Sequence, residues 1–276
     1  MDFINLYLQR LGLTRDSLPA DPVARLNLLH NTHQQCIAFN NIEVLLSRLP
    51  ELDPDKVVDK VLRRARGGYC YELNGLFGCL LRELGYDTHF HLGKMLAGSG
   101  VGPEERPRTH HVISVLIERQ RWMIDVSFGA RGLVEAAVLQ TEQPFTQMDT
   151  LRYQPYGDGY LLQSQIKGEW QTLYWFDLVE VYPADCVMSN YYSSTHPTSP
   201  FLHNLMALRL TGPRARVTFN NLRVAQVNNG VREETLLTSS QQLRDAIEKH
   251  LHIVLDHTEA ESLYLRISEQ PALQLV

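Results

Sequence analysis

The hydrophobic and polar residues of this chain follow a helical period at first and a strand period later. Up to about Gly85, apolar residues recur at spacings of three and four, in FINLYLQRLGL, DPVARLNLLHNTHQQCIAF and DPDKVVDKVLRRA. This spacing predicts helices, and Asp53 with Pro54 is typical of a helix cap followed by a first turn. A further helix is predicted to begin near Cys70 and to stop at Gly85, with one broad apolar stripe facing a core.

After Gly85 the pattern changes to short β-rich runs, YDTHFHLGKML, HHVISVLIERQRWMIDV, RYQPYGDGYLLQSQI and EWQTLYWFDL. These runs predict an antiparallel sheet or barrel. From about Pro183 the chain passes through a Ser-, Thr- and Pro-rich stretch to more strands and to a helix capped by Ser239 or Ser240. This order predicts an α+β protein with segregated parts rather than a doubly wound parallel sheet.

Composition narrows the possible partners. The 276 residues carry 26 basic and 31 acidic side chains, a net charge of −5, and no basic run longer than Arg63-Arg64, so we expect no nucleic-acid partner. The first residues lack the features of a signal peptide, and no apolar run approaches the roughly 20 residues of a membrane helix. We therefore expect a soluble, cytoplasmic protein without a membrane partner. The scattered cysteines predict no disulfide framework.

Cys70 is the first candidate for chemistry. The Gly67-Gly68 pair before it lets the backbone turn sharply and approach a ligand, and the first turn of a helix favours a thiolate. Inert packing explains the same position equally well, because free cysteines are often buried. We expect inert burial at the other three cysteines, Cys36, Cys79 and Cys186. A nucleophilic cysteine also needs a base to take its proton.

A histidine and an aspartate that can serve this cysteine lie on one predicted hairpin. If the chain turns at residues 118–119, one face of the hairpin is almost wholly apolar, and His110 is the diagonal neighbour of Asp125, about 7–8 Å away at Cα. A turn longer by one residue would bring His111 to Asp125, but it would set apolar side chains against polar ones, so we favour His110. A salt-bridged carboxylate at a strand end also explains Asp125. The predicted cross-strand pairs are Ile117 with Gln120, Val115 with Trp122, Ile113 with Ile124, Val112 with Asp125 and His111 with Val126.

The other histidines offer no comparable arrangement. His89 and His91 share one strand face, but without a third ligand or a supporting carboxylate we expect no metal site there. His30 and His33 lie on a predicted helix and have no carboxylate arrangement that indicates catalysis.

Three motifs of this sequence resemble those of the arylamine N-acetyltransferases. RGGYCYELN matches the family's RGG-x-C-x-E-x-N motif around its nucleophile, Thr109-His110 its TH motif, and DVSFG its D-x-G-F-G motif. FNNIEVLL near Phe39 and STHPTSPF ending at Phe201 resemble two further segments, so the resemblance spans most of the chain. The 15 residues from His110 to Asp125 also match the family's spacing, which again favours His110.

The resemblance implies three parts. A helical bundle at residues 1–85 would carry the nucleophile, and a central antiparallel β-barrel at 86–185 would carry the histidine and the aspartate. An interdomain stretch with an α/β lid would follow at 186–276. The expected core is like that of a cysteine protease, with a Cys-His-Asp triad made of Cys70, His110 and Asp125.

The chemistry implied by the resemblance is ping-pong acyl transfer, with acetyl-CoA as the acyl donor and no metal. The Cys70 thiolate would attack the thioester, His110 would hold the cysteine's proton, and Asp125 would fix the imidazole. An aromatic amine or hydrazine would then take the acetyl group from the cysteine. The substrate contacts that the family implies are Phe39, Thr109, Phe128 and Phe201, although an ordinary core would explain Phe39 and Phe201 equally well.

Two residues depart from the family's pattern. Ser127 stands where the family has glycine, so we expect its hydroxymethyl group to narrow or rehydrate the pocket beside the acyl site. Asn40 stands where the family tends to have glutamate, which removes a carboxylate partner of Arg66. We expect Glu43 or Glu72 to replace that partner.

Two other activities could use the same three residues. A thiol hydrolase or transglutaminase-like amidase would pass the acyl group to water or act on a peptide amide, but the match along the whole chain favours an acyltransferase. An amide synthase that acts on a carrier-bound polyketide stays possible and would differ in the size of its pocket.

Overall fold

The computed structural model of the protein describes residues 2–129 and 131–270. The helices in these residues are α1 (Phe3–Leu11), α2 (Pro22–Cys36), α3 (Ile42–Leu45), α4 (Pro54–Val58), α5 (Cys70–Glu83), α6 (Pro183–Thr195), α7 (Ser240–Leu251) and α8 (His257–Ser268). The strands are β1 (Phe39–Asn40), β2 (Asp87–Met95), β3 (His110–Ile117), β4 (Gln120–Ile124), β5 (Ala137–Val138), β6 (Phe145–Thr146), β7 (Thr150–Tyr156), β8 (Gly159–Ile166), β9 (Glu169–Phe176), β10 (Met206–Gly212), β11 (Ala215–Asn220), β12 (Arg223–Asn228) and β13 (Val231–Leu236). The predicted α+β class is confirmed.

Helix α5 begins at Cys70 and ends just before Gly85, as predicted. Gly85 has a φ of 86°, in the left-handed region that favours glycine, and this conformation closes the end of the helix. The apolar stripe packs into a core that α1, α2 and α5 share with β3. Cys79 was expected to be buried, but it is exposed because it lies on the face opposite this stripe. Cys186 is buried as expected, and Cys36 is half-buried.

Strands β3 and β4 form the predicted hairpin in the predicted register. The turn residues Glu118 and Arg119 have φ values of 50° and 66°, which suit a tight hairpin turn although neither residue is glycine. The ladder confirms three of the predicted pairs, Ile117 with Gln120, Val115 with Trp122, and Ile113 with Ile124. It ends there, so the pairs predicted for Val112 with Asp125 and for His111 with Val126 are wrong.

Side chains of helices α2 and α5 hold the backbone where the hairpin ladder ends. His30 Nε2 and Gln34 Nε2 lie 3.0 Å and 3.1 Å from the carbonyl oxygen of Asp125. Asn74 Oδ1 accepts the N–H of Val126 at 2.9 Å. These bonds replace the missing strand pairs, because buried backbone groups need hydrogen-bond partners. The hairpin is thereby fixed to both helices.

The central sheet is curled but open. Its eight strands follow the order β5-β4-β3-β2-β9-β8-β7-β6, and its neighbouring strands are antiparallel. Within residues 2–129 and 131–270, the end strands β5 and β6 form no ladder with each other. Each has only two residues, which is too short to close a barrel, so this region is a half-barrel and not the full β-barrel that the resemblance implied.

A second sheet links the early part of the chain to its carboxyl-terminal part. Its order is β1-β10-β11-β12-β13, and Phe39 of β1 lies opposite Leu208 of β10. The sequence did not predict β1. Helices α7 and α8 pack against this sheet, and α7 has the predicted cap at Ser239. The division into three domains stays a prediction. Among the helices of the described residues, none has the length and apolar character needed to cross a bilayer.

The turn that precedes helix α5 is held by an arginine between two carboxylates. Arg66 Nη2 lies 2.8 Å from Glu43 Oε1 and 3.0 Å from Glu259 Oε1. The predicted partner Glu43 is confirmed. The alternative Glu72 is wrong, because its carboxylate binds Lys60 Nζ at 2.7 Å. Glu259 on α8 was not predicted, and it ties the carboxyl-terminal part of the chain to this turn.

Asn40 fixes the same turn from the opposite side. Its side-chain nitrogen donates to the carbonyl oxygen of Arg66 at 3.0 Å, and its backbone N–H donates to Gly68 at 2.7 Å. Gly67 has a φ of 62°, and a Cβ there would overlap the carbonyl oxygen of Ala38. Asn40 thus supplies hydrogen bonds to the turn, while Glu43 and Glu259 supply the carboxylates.

We predict that Glu259→Gln lowers the free energy of unfolding by about 1–2 kcal/mol, because it removes one charge of a half-buried ion pair and leaves Glu43 in place. Glutamine keeps an oxygen that can accept the N–H of Asp256, as Glu259 does at 3.2 Å, so the helix cap is retained. Urea unfolding measures the effect. Glu261→Gln, at an exposed position of the same helix, is the control. Equal stability of the two variants would show that Glu259 does not hold the turn.

Two buried histidines of α2 predict a loss of stability in mild acid. Burial lowers the pKa of His30 to about 4 and that of His33 well below its usual value. Between about pH 6.5 and pH 4 the unfolded chain therefore binds more protons than the folded one, and stability falls as the pH falls through this window. For His30 alone, the loss between pH 7.5 and pH 5 is about 2 kcal/mol.

The variant His30→Gln should reduce this pH dependence by about 2 kcal/mol, since glutamine takes up no proton. Urea unfolding at pH 7.5 and pH 5 measures it. His257→Gln, at an exposed position, is the control and should change nothing. If His30→Gln lost as much stability in acid as the unaltered protein, His30 would not be the source.

Candidate active site

Cys70 lies at the bottom of a cavity, at the first residue of helix α5. Its side chain is buried, and its Sγ lies 3.9 Å from the carbonyl oxygen of Thr109. Cys70 and His110 line the same cavity, and Cys70 is among the groups that raise the pKa of His110. The positive end of the helix dipole favours negative charge at this position.

His110 and Asp125 form a buried pair behind the cysteine. His110 Nε2 lies 2.6 Å from Asp125 Oδ2, and both side chains are almost completely buried. Because Nε2 binds Asp125, Nδ1 is the ring nitrogen left for Cys70. The structure therefore joins His110 to Asp125 and places Cys70 in the lining of the cavity that His110 also lines.

Charge, more than burial, determines the protonation of this pair. Burial alone would lower the pKa of His110, but the charge and hydrogen bond of Asp125, together with Cys70, raise it to about 10. Burial would raise the pKa of Asp125, but His110, Asn74 and Ser127 hold it below its usual value. At neutral pH the pair is therefore an imidazolium and a carboxylate.

His111 does not take part in the pair formed by His110 and Asp125. Its ring stacks between Tyr71 and Phe90, with centroids 6.2 Å and 5.3 Å away. Neither ring nitrogen has a hydrogen-bond partner among the described residues. Burial and the nearby charge of His110 lower the pKa of His111 to about 3, so its ring is neutral. The choice of His110 over His111 agrees with this placement.

Two further residues bind the Asp125 carboxylate. Asn74 Nδ2 lies 2.9 Å from Oδ1, and the Ser127 N–H donates to the same oxygen at 3.1 Å. Sequence reasoning assigned no such role to Asn74, although it lies one helical turn after Cys70 and hence on the same face. Ser127 borders the cavity as expected, but its hydroxyl lies 3.3 Å from Asp125 Oδ1.

A cavity of about 390 Å³ opens above the cysteine. The four predicted substrate-contact residues all line it, namely Phe39, Thr109, Phe128 and Phe201. The rings of Phe39 and Phe201 lie 6.4 Å apart, and the ring of Phe128 meets that of His110 edge to face at 5.7 Å. This lining suits a flat aromatic ligand.

His89 and His91, the two histidines of β2, both lie within hydrogen-bond distance of other side chains. His89 Nδ1 lies 2.8 Å from Glu180, and His91 Nε2 lies 2.8 Å from Ser114 Oγ. In the part of the chain that the structure describes, no three His, Cys, Asp or Glu side chains are grouped so as to hold a metal ion.

Known proteins resemble this chain in sequence and in fold. A family model described as N-acetyltransferase matches residues 22–260. The arylamine N-acetyltransferase / N-hydroxyarylamine O-acetyltransferase of Salmonella typhimurium is 34% identical over 229 residues, which is 83% of this chain and 80% of that protein.

Solved structures agree with the sequence matches. The arylamine N-acetyltransferase of Salmonella typhimurium superimposes with a TM-score of 0.90 at 29% identity, over 96% of this chain and 98% of that one. The Mycobacterium marinum enzyme in complex with CoA gives 0.88 at 29% identity, over 96% and 100%. With its sequence, fold and cavity in agreement, the chain belongs to the arylamine N-acetyltransferase family.

Proposed function

We propose that this protein transfers the acetyl group of acetyl-CoA to the nitrogen of aromatic amines and hydrazines, through an acetyl thioester on Cys70. The observation that carries the proposal is an aromatic cavity lined by both Cys70 and His110, with His110 bound to the buried carboxylate of Asp125. Membership of the family supports the reaction, and a relative's complex with CoA supports the donor.

In the first half-reaction the Cys70 thiolate attacks the thioester carbonyl of acetyl-CoA. The new bond joins Sγ to the acetyl carbon, and the bond from that carbon to the CoA sulfur breaks. The departing CoA thiolate takes the proton from His110, which leaves the imidazole neutral. The raised pKa of His110 supports this route, because the proton is already on the ring before the donor binds.

In the second half-reaction the amine nitrogen attacks the acetyl carbon. Its proton passes to His110, the bond to Sγ breaks, and the thiolate facing an imidazolium is restored. Asp125 holds the ring so that Nδ1 faces the reacting atoms and balances the charge that returns to it. A neutral arylamine is nucleophilic enough at neutral pH to need no stronger base.

The aromatic lining supports the choice of acceptor. Phe39 and Phe201 form one wall, and Phe128 packs against the ring of His110. A flat ring between these side chains would bring an amino group on its edge toward Cys70, and its burial would supply most of the binding energy. Thr109 borders the same space beside the nucleophile.

Mixing the protein with acetyl-CoA in the absence of amine should add the mass of one acetyl group, located at Cys70 by peptide mapping. Cys70→Ala should lose the adduct and about 10⁴-fold in activity, because no other group can carry the acyl intermediate. Cys79→Ala, which removes an exposed thiol of the same helix, should keep both. An unacetylated protein together with full activity in Cys70→Ala would contradict the proposal.

The two neighbouring histidines should differ sharply when replaced. His110→Gln should slow the burst of CoA release by about 10²–10⁴-fold, since the departing thiolate loses its proton donor. His111→Gln should stay within about tenfold of the unaltered protein, because its ring is neutral and its two nitrogens have no hydrogen-bond partner among the described residues. Stopped-flow detection of free thiol measures both. The opposite order would place the base at His111.

The acceptor is tested by the steady-state release of CoA. The rate should rise with added arylamine or arylhydrazine and saturate, because these nucleophiles remove the acetyl group from Cys70 faster than water does. An aliphatic amine of similar size, which is protonated at neutral pH, should have little effect. A rate that is indifferent to every amine would instead indicate a thiol hydrolase.

A further inference from the structure

Ser127 lies where the hydrogen bonds around the Asp125 carboxylate meet. The residue is buried, and its N–H donates to Asp125 Oδ1 at 3.1 Å. Its hydroxyl oxygen lies 3.3 Å from the same carboxylate oxygen and 2.8 Å from Asn74 Nδ2. The hydroxyl is therefore placed between an amide donor and a charged acceptor.

The side-chain amide of Asn74 has fewer hydrogens than there are acceptors within its reach. Its Nδ2 carries two hydrogens. Three acceptors lie within hydrogen-bond distance of this nitrogen, the carbonyl oxygen of His111, Asp125 Oδ1 at 2.9 Å and Ser127 Oγ at 2.8 Å. The amide cannot be reversed, because its oxygen accepts the N–H of Val126 at 2.9 Å. One acceptor must therefore receive a hydrogen from elsewhere.

The serine hydroxyl resolves this shortage, because it accepts and donates at once. When Asn74 gives one hydrogen to His111 and the other to Ser127 Oγ, the hydroxyl hydrogen is free to bind Asp125 Oδ1. With glycine at this position, Asn74 would bind Oδ1 directly, and its distance of 2.9 Å is shorter than the 3.3 Å of the hydroxyl. Donors on Oδ1 draw negative charge away from Oδ2, the oxygen that binds His110.

We propose that Ser127 is a positioning residue, whose hydroxyl relays a hydrogen bond from Asn74 to Asp125 and so sets the strength of the bond between Asp125 and His110. The inference rests on the proposed function, in which His110 gives up and regains a proton in each cycle. Ser127 itself touches no reacting atom in this role.

The other groups that face the pair allow the effect to be isolated. Cys70 on α5 is among the groups that raise the pKa of His110, His30 reaches the Asp125 backbone from α2, and His111 follows on β3. Tyr153 of β7 and Tyr174 of β9 lie near the carboxylate from the sheet, and burial raises the pKa of both tyrosines well above the usual value. From pH 6 to about pH 10, where His110 loses its proton, both tyrosines, His30 and His111 are thus uncharged and do not contribute to the change.

The test compares Ser127→Ala, Ser127→Gly and Ser127→Thr by proton NMR, on the resonance of the hydrogen between His110 Nε2 and Asp125. His110→Gln identifies that signal by removing it. Loss of the hydroxyl should move the signal upfield and shift the deprotonation of His110 downward by about 0.5 pH unit, because Asn74 then binds Oδ1 directly and Asp125 pulls less strongly on the proton. Ser127→Thr should restore both, since it keeps the hydroxyl.

Kinetics provide a second readout. In Ser127→Ala and Ser127→Gly the rate constant for acetylation of Cys70 should rise about threefold, because His110 releases its proton to CoA more readily, while KM for acetyl-CoA stays within about twofold. Ser164→Ala is the matched control. It removes a buried hydroxyl that has no hydrogen-bond partner among the described residues, and it should change neither readout.

An unmoved NMR signal in both hydroxyl-free variants would overturn the inference. So would a change of KM alone, which would mean that Ser127 acts on the shape of the pocket. The NMR signal does not depend on turnover. A protein that failed to acetylate any amine would refute the proposed function and still leave the role of Ser127 decided by that signal.

Discussion

His110 and Asp125 form a pair of opposite charges that is buried away from water, and the surrounding structure compensates for the cost of burying them. Each charge alone would cost several kcal/mol to bury, so the pair persists only with close contact and with hydrogen bonds to the remaining oxygen. The hairpin of β3 and β4 brings the two residues together, and α5 supplies Asn74. Helix α2 fixes the aspartate backbone through His30 and Gln34. One hairpin and two helices are therefore needed for one ion pair.

Two further histidines near this pair are uncharged. Burial keeps His30 and His111 neutral, with pKa values of about 4 and 3. A second cation beside His110 would repel its proton, and a second anion beside Asp125 would compete for it. The histidine-rich surroundings thus stabilise a single imidazolium, which faces Cys70. The same burial that keeps these rings neutral makes the fold sensitive to acid.

Local patterns predicted those parts of the structure that local physics determines. The register of β3 and β4 followed from a two-residue turn and one apolar face, since a slip of one residue would bury polar side chains. The ends of α5 followed from Cys70, Gly85 and the spacing between them. The meeting of His110 with Asp125 followed from that register together with the resemblance to a family.

Other features depend on contacts that no local pattern encodes. The partner of Arg66 on α8 is 193 residues away in the sequence. The open edge of the central sheet depends on two strands of two residues each, which are too short to produce a periodic signal. The exposure of Cys79 depends on which side of α5 the rest of the fold covers. Asn74 lay within a recognised motif, but its bond to Asp125 required the relative placement of a helix and a hairpin.

The contact between Arg66 and Glu259 also affects the stage of synthesis at which the turn before helix α5 becomes fixed. The ribosome makes the amino-terminal helices, including Cys70, long before residue 259 leaves its exit tunnel. Until then Arg66 has only Glu43 as a partner, and β1 lacks β10, the strand that it pairs with. Contacts of such long sequence separation form late, because closing a long loop costs more conformational entropy than closing a short one. Cys70 is therefore held in its final geometry only when nearly all of the chain has been made and folded.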